Sequence, residues 1–139
     1  MESLRELYRI GHGPSSSHTI GPERAARRFL DDHAGAARYR ATLYGSLALT
    51  GRGHGTDRAM ACVFPDGALD VSWRPDATLP RHPNGIEFEA LDATGATVAT
   101  WRVYSTGGGA IRDDADLDAP PEAVYPVGSL AELVDRARD

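Results

Sequence analysis

The 139-residue chain has no lysine, a single cysteine and no long apolar run, and each shortage excludes something. All 15 basic residues are arginine, against 20 Asp and Glu, for a net charge of −5. Nonspecific nucleic-acid binding needs basic clusters that displace counterions from phosphates. The densest arginine group, Arg24, Arg27 and Arg28, lies beside Glu23, Asp31 and Asp32, so that class is set aside. Cys62 alone can form no internal disulfide, which points to a cytoplasmic setting. Nor can one thiolate hold an iron–sulfur cluster, which takes several. A lone cysteine is most simply a small buried hydrophobe. No apolar stretch is long enough to cross a bilayer as a helix, and no secretory pattern opens the chain. The length suits one core, so residues 1–139 are read as a single domain.

What is present reads as alternating helices and strands. Residues 3–10 suggest a short helix with Leu4, Leu7 and Tyr8 on one side. A Gly/Pro/Ser loop follows over 11–19. A second helix starts near Gly21-Pro22, because proline's missing N–H costs nothing in a first helical turn. Ala25, Ala26, Phe29 and Leu30 recur at helical spacing and should face the core. Residues 40–49 alternate and read as a strand ending near Gly45-Ser46, with a glycine-punctuated turn over 51–57. Thr56 or Asp57 could cap a short helix reaching Cys62. A strand over 68–73 and a Pro-rich connection over 75–83 come next. Residues 84–91 and 96–105 look like a hairpin closed by Asp92-Ala93-Thr94-Gly95. Gly107-Gly108-Gly109 breaks the pattern, a polar loop covers 113–121, and a capped helix closes the chain over 129–138. The expected class is α+β: an antiparallel or mixed sheet with helices packed mainly on one face.

Three segments could carry chemistry. The first is Gly-His-Gly-Pro-Ser-Ser-Ser-His-Thr-Ile-Gly-Pro (11–22), where hydroxyls crowd the approach to a helix N-terminus. Free N–H groups there favour an anion, such as a substrate carboxylate; a flexible Ser/Gly linker is the bland alternative. The second is Tyr-Gly-Ser-Leu-Ala-Leu-Thr-Gly-Arg-Gly-His-Gly-Thr-Asp (44–57). His54 sits between two glycines and titrates near neutral pH, which suits proton transfer. Asp57 could orient that ring or cap the helix. The third, Ser105-Thr106-Gly107-Gly108-Gly109, could be an anion nest or a sharp bend, and lacks the spacing and lysine of a nucleotide P-loop. His33 reads as a helix-end residue and His82 as part of a turn. Metal-ligand spacing is absent, and no Gly-x-Ser-x-Gly elbow supports a Ser/His/Asp hydrolase.

The first two segments, together with His-Pro-Asn-Gly-Ile (82–86), Tyr-Ser-Thr-Gly-Gly-Gly (104–109) and Tyr125-Pro126, resemble the β domain of bacterial iron–sulfur L-serine dehydratases. The landmarks occur in order along nearly the whole chain. The resemblance implies a reaction of L-serine to pyruvate and ammonia. It also implies a 4Fe–4S cluster carried by a separate α subunit or domain, with the β domain closing the active site over it. Carried over residue by residue, Ser15, Ser16, Ser17, His18 and Thr19 shape or bind substrate. His54 and Asp57 belong to the catalytic motif, with His54 nearest the substrate. The chain itself would hold no metal and be inactive alone, and a homodimer is left open. The interior between about residues 58 and 81 is shorter than the family pattern. That departure keeps an alternative in play, a stand-alone amino-acid-binding or regulatory module without catalysis.

Overall fold

The computed structural model describes residues 11, 13–119, 129, 131, 134 and 135. Within them the elements run α1 (Ile20–Asp32), β1 (Arg38–Tyr44), α2 (Gly45–His54), α3 (Thr56–Ala61), β2 (Leu69–Arg74), β3 (Gly85–Leu91), β4 (Thr97–Gly107), β5 (Ala110–Asp113) and α4 (Asp114–Asp118). The five strands form one sheet in the order β2-β1-β3-β4-β5. β1 and β2 pair in parallel; the other three pairings are antiparallel. The sheet is therefore mixed, and the α+β class holds. The helix expected over 3–10 and the 125–126 landmark lie outside the described residues, as does most of the closing helix.

Alternation along the strands sorts the two faces of the sheet. Tyr39, Ala41, Leu43, Ile86, Phe88, Ala90 and Val103 are buried on one face. The register places Ala41 beside Phe88 and Ile86 beside Val103. Onto this face α1 brings Ala25, Ala26 and Phe29, the positions expected from its periodicity. The ring of Phe29 stacks on Phe88 at 5.2 Å and lies parallel to Trp101 at 6.3 Å. Met60 of α3 and Leu47 and Ala48 of α2 complete the layer. The opposite face carries cross-strand ion pairs, Arg40 to Glu89 at 3.1 Å and Arg102 to Glu87 at 2.6 Å. Such pairs sit on a wet sheet face without costly desolvation.

Three local expectations need correction. The strand begun near Arg40 stops at Tyr44, and residues 45–54 form α2 where a strand end and a turn were expected. Past Tyr44 the period changes: Leu47, Ala48 and Gly51 are buried while Leu49 and Thr50 are exposed, which is one helical face and not alternation. Residues 113–121 are not simply a polar loop, since Asp113 and Asp116 form a reciprocal capping box that starts α4. Cys62, expected inside, is exposed. It lies just past a six-residue helix whose buried positions are Thr56 and Met60.

Candidate active site

The Ser loop is a tight turn, not a linker. The amides of His18 and Thr19 donate to the Ser15 carbonyl at 3.1 and 2.9 Å, and Gly21 N–H donates to the Ser16 carbonyl at 2.9 Å. Thr19 is buried, and its hydroxyl donates to the same Ser15 carbonyl at 2.7 Å. It therefore holds the turn from within, while Ser15, Ser16, Ser17 and His18 stay partly accessible.

Two buried hydroxyls fasten this turn to the rest of the fold. Ser105 Oγ, near the end of β4, donates to the Ser17 carbonyl at 2.7 Å. Thr56 Oγ1, at the start of α3, donates to the His18 carbonyl at 2.6 Å. Both anchors need glycine opposite them. A Cβ on Gly21 would meet Ser105 Oγ at 2.2 Å, and one on Gly51 would meet Thr56 Oγ1 at 2.9 Å. The glycines of the two segments thus make room for the hydroxyls that dock the loop. Sequence reasoning had Thr56 as a helix cap and Ser105 as part of a bend. Their serving the loop was not visible, because nothing local in sequence links residues 17 and 105.

With the turn docked, the two segments meet at their histidines. The rings of His18 and His54 stack with centroids 4.7 Å apart and planes 28° from parallel. Nδ1 of His18 lies 3.1 Å from Ser15 Oγ and 3.0 Å from Ser17 Oγ. Its Nε2 lies 2.9 Å from Thr50 Oγ1. His54, the last residue of α2, places Nδ1 2.9 Å from the Thr50 carbonyl one turn back. Among the described residues its Nε2 meets no hydrogen-bond partner. Burial pushes the His18 imidazole below its ordinary pKa; the neighbouring His54 adds to this, and the Ser46 carbonyl opposes it. His18 is thus biased against carrying positive charge.

Asp57 lies in the first turn of α3, but the residue at that helix's N-cap is Gly55, and no carboxylate bond reaches His54. Ser16 contributes a hydroxyl with no protein partner among the described residues. Behind Ser105, Asn84 donates through Nδ2 to the Ser105 carbonyl at 3.2 Å. Its Oδ1 is a buried acceptor that no described group satisfies. His82 accepts the Asn84 amide on Nδ1 at 3.0 Å, which fixes the turn read there in sequence.

The donor set does not fit an iron–sulfur cluster. Cys62 is the one cysteine of the chain and lies exposed, and the described residues hold no group of three or more metal-ligating side chains. What they do hold is a hydroxyl-rich, two-imidazole surface suited to binding a small polar molecule and moving a proton.

Comparison with known proteins gives the family. The family model described as serine dehydratase beta chain matches residues 3–64 and 63–116. The chain belongs to the serine dehydratase β-chain family. An L-serine dehydratase of Streptomyces coelicolor is 34% identical over 99% of the chain and 40% of its own length. One from Mycobacterium bovis is 33% identical over 96% of the chain and 38% of its own length, and one from Haemophilus influenzae is 31% identical over 100% and 40%. The chain thus spans about two fifths of the curated relatives it matches. The mycobacterial alignment runs over 180 positions, more than the 139 residues of this β-type chain, so the relative carries residues that have no counterpart here.

Proposed function

We propose that this chain is the β component of a cytoplasmic L-serine dehydratase, completing an active site whose four-iron cluster is held by an α subunit. The observation that carries this reading is the docking of the Ser loop against the C-terminal end of α2. It stacks His18 on His54 with an unengaged His54 Nε2. The missing residues of this chain, in the same reading, fall between positions 58 and 81, away from that contact.

In this reading His54 takes the Cα proton of L-serine at Nε2. Its Nδ1 is already bonded to a carbonyl, so Nε2 is the nitrogen available as a base. Ser15 and Ser17 surround His18, and the free hydroxyl of Ser16 reaches toward the substrate carboxylate or ammonium. Leu49 is 69% exposed and precedes Thr50 on α2, an apolar contact that a docked α subunit would cover. Thr19 positions the loop, and Asp57, assigned through the second motif, lies in the first turn of α3.

The test is anaerobic pyruvate release from L-serine, by this chain alone and then mixed with a cluster-reconstituted α subunit from the same genome. Turnover in the mixture alone supports the β-component reading. Serine binding by the chain without turnover in the mixture, when iron content shows an intact cluster, would replace it with the amino-acid-binding module.

A further inference from the structure

We infer that Thr50 is a positioning residue that assigns opposite tautomers to the two stacked histidines: Nε2–H on His18 and Nδ1–H on His54. The inference deepens the proposed role of His54 and rests on it for its catalytic meaning, although the tautomers themselves can be observed without any turnover.

The assignment follows from counting hydrogens. A threonine hydroxyl has one proton to donate. Thr50 Oγ1 donates it to the Ser46 carbonyl at 3.0 Å, within its own helix. Toward His18 Nε2, 2.9 Å away, the oxygen can then only accept, so the proton of that contact sits on Nε2. A neutral imidazole has one N–H, and His18 Nδ1 is therefore an acceptor. That is the role its surroundings supply, since Ser15 Oγ and Ser17 Oγ both stand within 3.1 Å and each can donate. The backbone of the same residue acts on the second ring. A carbonyl oxygen can only accept, so the 2.9 Å contact between the Thr50 carbonyl and His54 Nδ1 requires Nδ1–H. The basic lone pair of His54 is then on Nε2.

One residue thus sets both rings through different atoms, and the stack follows from its geometry. Thr50 lies on α2 one turn before His54, so its carbonyl reaches the His54 ring while its hydroxyl reaches His18. A residue without the hydroxyl would keep the first bond and lose the second. Neutrality of His18 belongs to the same arrangement. A proton on His18 Nδ1 would turn the Ser15 and Ser17 contacts from accepting to donating and place a charge beside His54.

The experiment is nitrogen-15 NMR of the full chain with labelled histidine, read at a pH above both titrations. The expected result is protonation at Nε2 for His18 and at Nδ1 for His54. Thr50→Val, which keeps shape and backbone but removes the hydroxyl, should release the His18 tautomer into a mixture and leave His54 at Nδ1–H. Thr50→Ser should restore the wild-type signature. In the mixture with the α subunit, Thr50→Val should lower kcat by roughly 10- to 100-fold, the scale on which groups that orient a histidine act, with rescue by Thr50→Ser. Nε2–H on His54, or an unchanged His18 tautomer in Thr50→Val, would overturn the inference whatever the activity. Both tautomers as assigned, with no turnover in any mixture, would leave the inference standing and remove the dehydratase reading instead.

Discussion

Gly51 lets two helices and a strand come together, whereas glycines at residues 107–109 turn a strand back on itself. Gly51 sits inside α2 and faces Thr56 and Trp73, each 2.9 Å from where a Cβ would be. Gly55, in the left-handed region at φ 74°, ends α2 and starts α3. By contrast Gly107, Gly108 and Gly109 all have positive φ, at 114°, 57° and 76°, and join β4 to β5. That turn is tied to α1 by Arg24, which donates to the Gly109 carbonyl at 2.8 Å. One region uses glycine for close approach and gathers polar side chains around it. The other uses glycine for backbone reversal and offers no such cluster. Glycine content is therefore a poor pointer to a site; what surrounds the glycine decides.

The comparison breaks most visibly at His54. His54→Ala should cut turnover of the mixture with α by about 10²- to 10⁴-fold, the contribution typical of a positioned base. Far-ultraviolet circular dichroism and the melting midpoint should stay close to wild type, because the side chain is only partly buried. Near-normal turnover would remove His54 from proton transfer.

Gly51→Val tests close approach. Its branched side chain would press on Thr56 and Trp73, and overpacking at a buried position should cost roughly 3 kcal/mol. A lower urea midpoint with unchanged slope is the readout. Because Thr56 holds the His18 carbonyl, loss of the Ser-loop contacts should accompany it. Gly107→Ala tests reversal. No heavy atom stands within 4 Å of its Cβ, so only backbone strain is added, about 1 kcal/mol. Stability should fall slightly while the histidine tautomers stay as they are. A loss of activity in Gly107→Ala larger than in Gly51→Val would invert the comparison.

How much of this was legible in the sequence depends on the range of the interaction. The α1 stripe of Ala25, Ala26 and Phe29 and the hairpin of β3 and β4 follow from local period, and both were readable. The first half of the second motif was misread, because Leu43, Leu47 and Leu49 can be fitted to a strand when the register change after Tyr44 is ignored. The site residues were named from a resemblance to a family, not from spacing. Spacing could not have joined His18 to His54, since their contact depends on Thr56 and Ser105 docking the loop across 38 and 88 positions. Thr50 was passed over for a related reason. A threonine inside a motif carries no signal until both its hydroxyl and its carbonyl are seen to face rings.

The smallest expected effect is the dependence of stability on pH that His18 contributes. Its folded pKa lies below the ordinary 6.5, first through burial and then through His54. Below about pH 6.5 the unfolded chain therefore binds a proton that the folded chain resists, and the equilibrium shifts toward unfolding. Stability contributed by neutral His18 is fully present above pH 6.5 and is lost as the pH falls below it toward the folded pKa. Urea midpoints measured from pH 8 to pH 5 should fall toward acid more steeply in the wild type than in His18→Gln, which cannot take up the proton. The difference is small because the ring keeps much of its contact with water. Superimposable curves for wild type and His18→Gln would mean that the docked loop tolerates a charged His18, and its resistance to protonation would no longer be a property of the fold.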